Sequence, residues 1–135
     1  MNTEYLFLDD VRFPYEVGNY IYPVEIKALY RLKEWAIVRN YNEFVKYTNE
    51  NGLPYCISFD HDLADEHYAP EMNDKENYEK LYEKFTEKTG YDCAKWLIEY
   101  LLDNDLKAPY TLCHSLNPAG KENIVKLFEN FNKKQ

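Results

Sequence analysis

Long hydrophobic runs are missing from this chain, and none approaches the about 20 apolar residues that a membrane-spanning helix needs. The stretch Met1 to Asp9 has no basic segment and an apolar run only from Tyr5 to Leu8, so no signal peptide is expected. Cysteine is scarce. Cys56, Cys93 and Cys113 are odd in number, lie within apolar segments and form no CxxC pair. That argues against a zinc site or a disulfide framework and predicts reduced, buried thiols in a cytoplasmic protein. Neither GxGxxG nor a Walker A loop occurs, and internal repeats are absent. Positive charge is in deficit, with 16 Lys and Arg against 24 Asp and Glu and a formal net charge of −8. Long-range electrostatics therefore oppose an anionic membrane or an extended nucleic-acid surface as partner. A phosphate ligand would need a local device such as a metal, a helix N-terminus or a few placed cations.

What is present argues for a folded chain. Hydrophobic residues make up 45% and aromatic residues 17%, including 14 tyrosines, which is too much apolar surface for a disordered tail. At 135 residues the chain reads as one domain, long enough for one core.

The most informative stretch is Ile57-Ser58-Phe59-Asp60-His61-Asp62-Leu63, an apolar strand-like run that stops in two acids with an imidazole between them. Asn51-Gly52-Leu53-Pro54 ends whatever precedes it and starts a strand over Tyr55 to Phe59. Asp60 then sits at a strand's carboxyl end, where ligands bind in open α/β sheets. Tyr5 to Leu8 is a second buried strand and delivers Asp9 and Asp10 in the same way. Acids brought together on one rim raise one another's pKa unless a cation neutralises them, and carboxylate oxygens with water suit Mg²⁺ or Mn²⁺.

From Val11 to about Lys33 the sequence is irregular, and Val24 to Leu32 reads either as a short helix begun near Pro23 or as a packed loop. Trp35 to Val38 reads as a strand, and Asn42 to Thr48 as a helix with Asn42 as its N-cap and Asn51-Gly52 as its stop. After Leu63 the chain turns strongly polar over about 64–88. Tyr78, Leu81, Tyr82 and Phe85 recur there at helical spacing, which predicts an inserted amphipathic helix, either a lid over the acids or a connection closing a core edge. Thr89-Gly90-Tyr91-Asp92 is a capping box that starts a helix over Tyr91 to Leu102, with Ala94, Leu97, Ile98 and Leu101 facing the core. Tyr110 to Cys113 is the next strand. It runs into His114-Ser115-Leu116-Asn117-Pro118, where Asn117 as N-cap and Pro118 as first helical residue begin a helix with apolar positions Ile124, Val125, Leu127, Phe128 and Phe131. A helix N-terminus at a strand's carboxyl end suits a phosphate oxygen. Ser115 offers a hydrogen bond there, Lys121 a charge, and His114 an acid or base near pH 7.

Leu8-Asp9-Asp10-Val11-Arg12-x-Pro14, Ser58-Phe59-Asp60-His61-Asp62-Leu63, Thr89-Gly90-Tyr91-Asp92 and His114-Ser115-x-Asn117-Pro118-x-Gly120 together resemble the cyclic-phosphate-processing relatives of two-component receiver domains. The resemblance spans nearly the whole chain. It implies a flavodoxin-like, three-layer α/β fold with a mostly parallel four-stranded sheet in the order 2-1-3-4, and metal-dependent activity on a cyclic or terminal phosphate of a nucleotide-type substrate or nucleic-acid end. Carried over by motif, Asp9, Asp10 and Asp60 would hold the metal, and Asp62 would be a further ligand or orient a water. His61, His114 and Ser115 would meet the phosphate. Adding the residues' own chemistry, Asp62 or His61 would activate water and His114 would protonate the leaving alkoxide. Asn117, Lys121 and Arg12 complete the expected phosphate contacts. A covalent aspartyl-phosphate at Asp60 is a variant of this scheme. The chain departs from phosphoacceptor receivers in having no convincing fifth strand with its lysine and in crowding histidines near the acids. The competing expectation is a degenerate receiver that binds metal, phosphate or a partner protein without turnover.

Overall fold

The computed structural model describes residues 4–21, 23–63 and 88–134. Four short strands carry the architecture: β1 (Tyr5–Leu8), β2 (Ala36–Val38), β3 (Cys56–Phe59) and β4 (Tyr110–Cys113). They form one sheet in the order β2-β1-β3-β4, and each neighbouring pair is parallel. Parallel strands need crossovers, so both faces are covered and the inner strands are apolar but for Ser58. Every residue of β1 and β3 is buried.

Alternation along β1 divides the core in two. Leu6 and Leu8 face a large cluster with Ile57, Phe59, Phe44, Leu97, Leu101, Ile124 and Phe128, supplied by three helices: α3 (Tyr41–Asn51), α4 (Gly90–Asp103) and α5 (Pro118–Lys133). Phe7 faces the other way, against Val17, Ile21 and Tyr30 from the segment that holds α1 (Pro14–Val17) and α2 (Val24–Leu32). The result is the expected three-layer sandwich. The chain leaves β1 toward one face of the sheet and leaves β3 toward the other. Their carboxyl ends therefore lie at the topological switch point, where such sheets bind ligands. Asp9 and Asp60 both lie there.

Several boundaries differ from expectation for identifiable reasons. Asn40, not Asn42, caps α3. Its side chain accepts the Glu43 N–H at 2.9 Å, and starting there turns Phe44 and Thr48 into the core while Asn42 is left exposed. Gly52 stops that helix as expected, with φ 79 and its N–H on Thr48 O. Trp35 lies outside β2 because its indole N–H is drawn to Leu29 O and its ring stacks on Tyr30. The irregular segment resolves into α1 and α2. Of the apolar positions of α5, Val125 is exposed. The proposed helix through Tyr78 and Phe85 falls outside the described residues.

The capping box at Thr89 forms, with Thr89 Oγ1 accepting the Asp92 N–H and Asp92 accepting the Thr89 N–H at 2.9 Å. Its glycine has a second purpose. Gly90 donates to His61 O at 2.8 Å, and a Cβ added to it would stand 1.7 Å from Asp60 O. α4 is thus seated directly on the backbone of the acidic turn. Gly90→Ala must push the helix off that turn, and we expect a loss of more than about 2 kcal/mol in urea unfolding. Thr89→Ala, which removes only a cap, should cost about 1 kcal/mol. The reverse ranking would mean that the close approach is not a constraint on folding.

Candidate active site

The parallel ladder continues one residue past the strands. Asp60 N–H donates to Leu8 O at 2.9 Å, Asp9 N–H to Val38 O at 3.2 Å and His114 N–H to Phe59 O at 3.0 Å. Three side chains from three strand ends are thereby set side by side. Asp9, Asp60 and His114 are all buried, and each offers a ligand atom within 4.8 Å of the others.

Their environments are opposite. Asp9 Oδ1 accepts the backbone N–H groups of Val11 and Arg12 at 3.0 and 2.8 Å; Oδ2 lies 3.0 Å from His114 Nε2 and 3.3 Å from Arg12 Nη1. Burial by itself would raise the Asp9 pKa. The hydrogen bonds from His114, Arg12 and Val11 outweigh it and hold the carboxylate well below its usual range. Asp60 has far less. Among the described residues Oδ1 accepts only the His61 N–H at 2.9 Å, Oδ2 is buried with no hydrogen-bond partner, and Arg12 Nη1 stands 3.9 Å away. Burial and the neighbouring Asp9 charge push Asp60 up to about 8.

His114 is the hub of a buried chain of polar groups. Its Nδ1 lies 2.6 Å from Ser58 Oγ, which lies 2.5 Å from Tyr30 Oη, while its ring stacks on Phe7. Burial lowers the His114 pKa against the pull of Asp9, which leaves the ring neutral at pH 7. Since ionised Asp9 can only accept, Nε2 carries the proton and Nδ1 accepts from Ser58, whose oxygen accepts from Tyr30. Every partner in that direction is satisfied.

Around this centre His61 Nδ1 pairs with Asp62 Oδ1 at 3.0 Å, and Asn117 Nδ2 reaches Asp62 at 3.2 Å while Asn117 Oδ1 caps α5 through the Gly120 N–H. Ser115 Oγ accepts the Asn117 N–H. Lys121 is exposed in the first turn of α5, and Asp10 is half-buried outside the Asp9, Asp60 and His114 cluster. The structure thus joins two of the three acids expected to hold a metal and brings His114 to them. Sequence reasoning missed three contributors. Ser58, a polar residue inside an apolar strand, was a signal that a buried partner exists; Tyr30 is that partner. Arg39 follows β2 and ties down the first loop, with Nη1 bound to the carbonyls of Asp9 and Arg12 at 3.0 and 2.6 Å.

A protein-family model described as the cyclic-phosphate processing receiver domain matches residues 4–130. The chain belongs to that family. No curated protein and no solved structure matches it. For this cyclic-phosphate processing receiver domain, the buried triad could bind a metal ion: its two carboxylates and one imidazole suit a divalent cation, and the orphaned Asp60 oxygen is an acceptor that nothing else in the described protein fills. The three thiols are buried and free, with burial raising Cys56 and Cys113 to about 12, so they add no nucleophile. Among the described residues no helix is long and apolar enough to cross a membrane.

Two outcomes follow from the electrostatics. Folded Asp60 keeps its proton up to about pH 8, whereas its ordinary value is 3.8. The folded state therefore holds the extra proton between those values, and stability falls as pH rises from about 4 to about 8. In chelator, Asp60→Asn should be more stable than wild type at pH 8, by on the order of a few kcal/mol, with the two converging near pH 4 in urea unfolding. A gap that widens in acid would contradict the assignment. Separately, Ser58→Ala strands two buried groups and should cost about 1 to 3 kcal/mol, more than Tyr30→Phe, which strands none.

Proposed function

We propose that the protein is a divalent-metal-dependent phosphoesterase that opens a cyclic phosphate or removes a terminal one on a nucleotide-type substrate. The observation that carries this reading is the buried Oδ2 of Asp60, without a hydrogen-bond partner among the described residues, in a carboxyl group clustered with Asp9 and His114 at the strand ends. Asp9, Asp60 and His114 would hold the ion, with Asp10 near enough in sequence to reach it through water. When bound, Mg²⁺ or Mn²⁺ would supply charge stabilisation for the phosphoryl oxygens and lower the pKa of a bound water.

The remaining roles fall to the chain's own groups. The His61–Asp62 pair has the form of an acid-base dyad in which the carboxylate orients the ring. His61 would take the proton as a water oxygen bonds to phosphorus, then return it to the alkoxide as the ester P–O bond breaks. His114, expected from sequence to protonate that alkoxide, has its two ring nitrogens engaged by Ser58 and Asp9, which favours a holding role. Arg12 stands between the two acids and would face the phosphate's charge; Ser115, Asn117 and the N-terminus of α5 would take its other oxygens, with Lys121 at the edge.

The test is a pair of measurements on one set of proteins. With Mg²⁺ or Mn²⁺ at ten times Kd, wild-type stability should rise by about 1.4 kcal/mol, and Asp9→Asn or Asp60→Asn should abolish the rise. Hydrolysis of cyclic phosphates, followed by phosphorus NMR, should fall at least about 100-fold in Asp60→Asn and in His61→Ala. Metal binding without hydrolysis of any cyclic or terminal phosphate would favour the non-catalytic receiver instead.

A further inference from the structure

Immediately beyond Asp9 and Asp10 the first loop leaves three large apolar side chains in water: Val11, Phe13 and Tyr15 are 67%, 45% and 64% exposed. Such a concentration within five residues marks a contact surface. The Phe13 and Tyr15 rings lie within 11° of parallel, with centroids 6.1 Å apart. They are also held in place. The Arg39 guanidinium lies 4.8 Å over the Phe13 ring while its Nη1 is fastened to the carbonyls of Asp9 and Arg12. The Phe13 N–H is bound by Glu16 at 2.6 Å, and Pro14 fixes the backbone that follows. Phe13 is therefore a fixed extension of the loop that positions Asp9, with Tyr15 beside it.

Its distance from the acids suits one kind of ligand. Asp9 Oδ1 accepts the Arg12 backbone N–H at 2.8 Å, and Phe13 is the next residue along the chain. One backbone step of about 3.8 Å and one side-chain length put the Phe13 ring within roughly 10 Å of the Asp9 carboxylate, comparable to the span from a ribose phosphate to its base. Charge points the same way. A chain of net charge −8 gains little long-range attraction for a phosphate, so a contact indifferent to charge adds affinity beyond what the local phosphate-binding groups supply, and base–aromatic stacking is such a contact.

We propose that Phe13 and Tyr15, backed by Arg39, form a base-stacking platform, so that the phosphate reaching this site is carried on a nucleoside. The inference rests on the phosphoesterase reading for the position of the phosphate, and the experiment separates the two. Calorimetry with Mg²⁺ compares adenosine 2′,3′-cyclic phosphate with glycerol 1,2-cyclic phosphate, which has the same reactive ring and no base. Wild type should bind the nucleotide at least about 10-fold more tightly, within the range that stacking supplies. In Phe13→Ala/Tyr15→Ala the preference should collapse toward one. Phe13→Leu/Tyr15→Leu, apolar but without a π-face, should behave alike, and the Mg²⁺-induced rise in melting temperature shows whether each variant keeps an assembled site.

Equal affinities in wild type, no binding of the nucleotide, or a preference that survives both double variants would overturn the platform. Hydrolysis of the glycerol ester without nucleotide preference sinks the platform and leaves the phosphoesterase standing. Ring-dependent nucleotide binding without turnover of either ester does the opposite. A trinucleotide ending in the same cyclic phosphate distinguishes the source: tighter binding than the mononucleotide assigns an RNA end, and equal binding assigns the free nucleotide, both through the same stacking.

Discussion

Two carboxylates set within 4.8 Å of each other at the ends of adjacent buried strands cannot both be ionised cheaply. At an effective dielectric constant of 20 their repulsion is about 3 kcal/mol, before any cost of desolvation. The surrounding protein meets this constraint by treating the two unequally. Asp9 receives two backbone N–H groups, an imidazole N–H and a guanidinium, and stays ionised. Asp60 receives one backbone N–H and retains a proton instead. The inequality follows from chain geometry. The turn after β1 folds its N–H groups back on Asp9, while α4, brought close by Gly90, occupies the space around the backbone of Asp60.

The same constraint ties distant elements together. Tyr30 on α2, Ser58 within β3, His114 after β4 and Asp9 after β1 form one continuous chain of buried contacts across the sheet. Its polarity is set at one end, because an ionised carboxylate accepts and never donates. From that, the tautomer of His114 and the orientation of both hydroxyls follow. The hydroxyl links have a further property: each can reverse between donor and acceptor. His114 can therefore offer the site either an N–H or a lone pair without stranding Ser58, which is what a residue alternating between a carboxylate and a cation requires.

Local, strongly punctuated features were legible in the sequence. Asn117-Pro118, Thr89 with Asp92, Gly52 and the apolar runs at Tyr5–Leu8 and Tyr110–Cys113 each carry a mechanism within a few residues, and each marks an element where it was expected. The acids at strand ends were legible for the same reason. What escaped depends on contacts far apart in the chain. Tyr30 meets Ser58 across 28 positions and His114 meets Asp9 across 105, and no local pattern encodes either pairing. Asn40 differs from Asn42 as a cap in having Glu43 three residues on, the spacing of a capping box, and the burial of Phe44 and Thr48 agrees with that choice. Asp10 and Asp9 look alike as text, yet the turn of the backbone sends one into the cluster and leaves the other half-buried beside it.

On the proposed reading, the charge of the cluster explains how so acidic a chain can accept an anion. Without a metal, Asp9 and Arg12 cancel, while protonated Asp60 and neutral His114 add nothing, so a phosphate meets no excess positive charge. Arg39, the other nearby cation, is committed to two carbonyl groups and the Phe13 ring. A divalent ion that displaces the Asp60 proton raises the charge of the site by one unit, against which the carboxylates of Asp10 and Asp62 still stand. Such a site accepts a cyclic phosphodiester, which carries one negative charge, more readily than the ring-opened monoester, which carries close to two near neutral pH. Substrate attraction would then depend on prior metal binding, and the product would leave a site in which its second charge faces two ionised aspartates. The proton on Asp60 thereby links the stability of the empty protein to the selectivity of the loaded one.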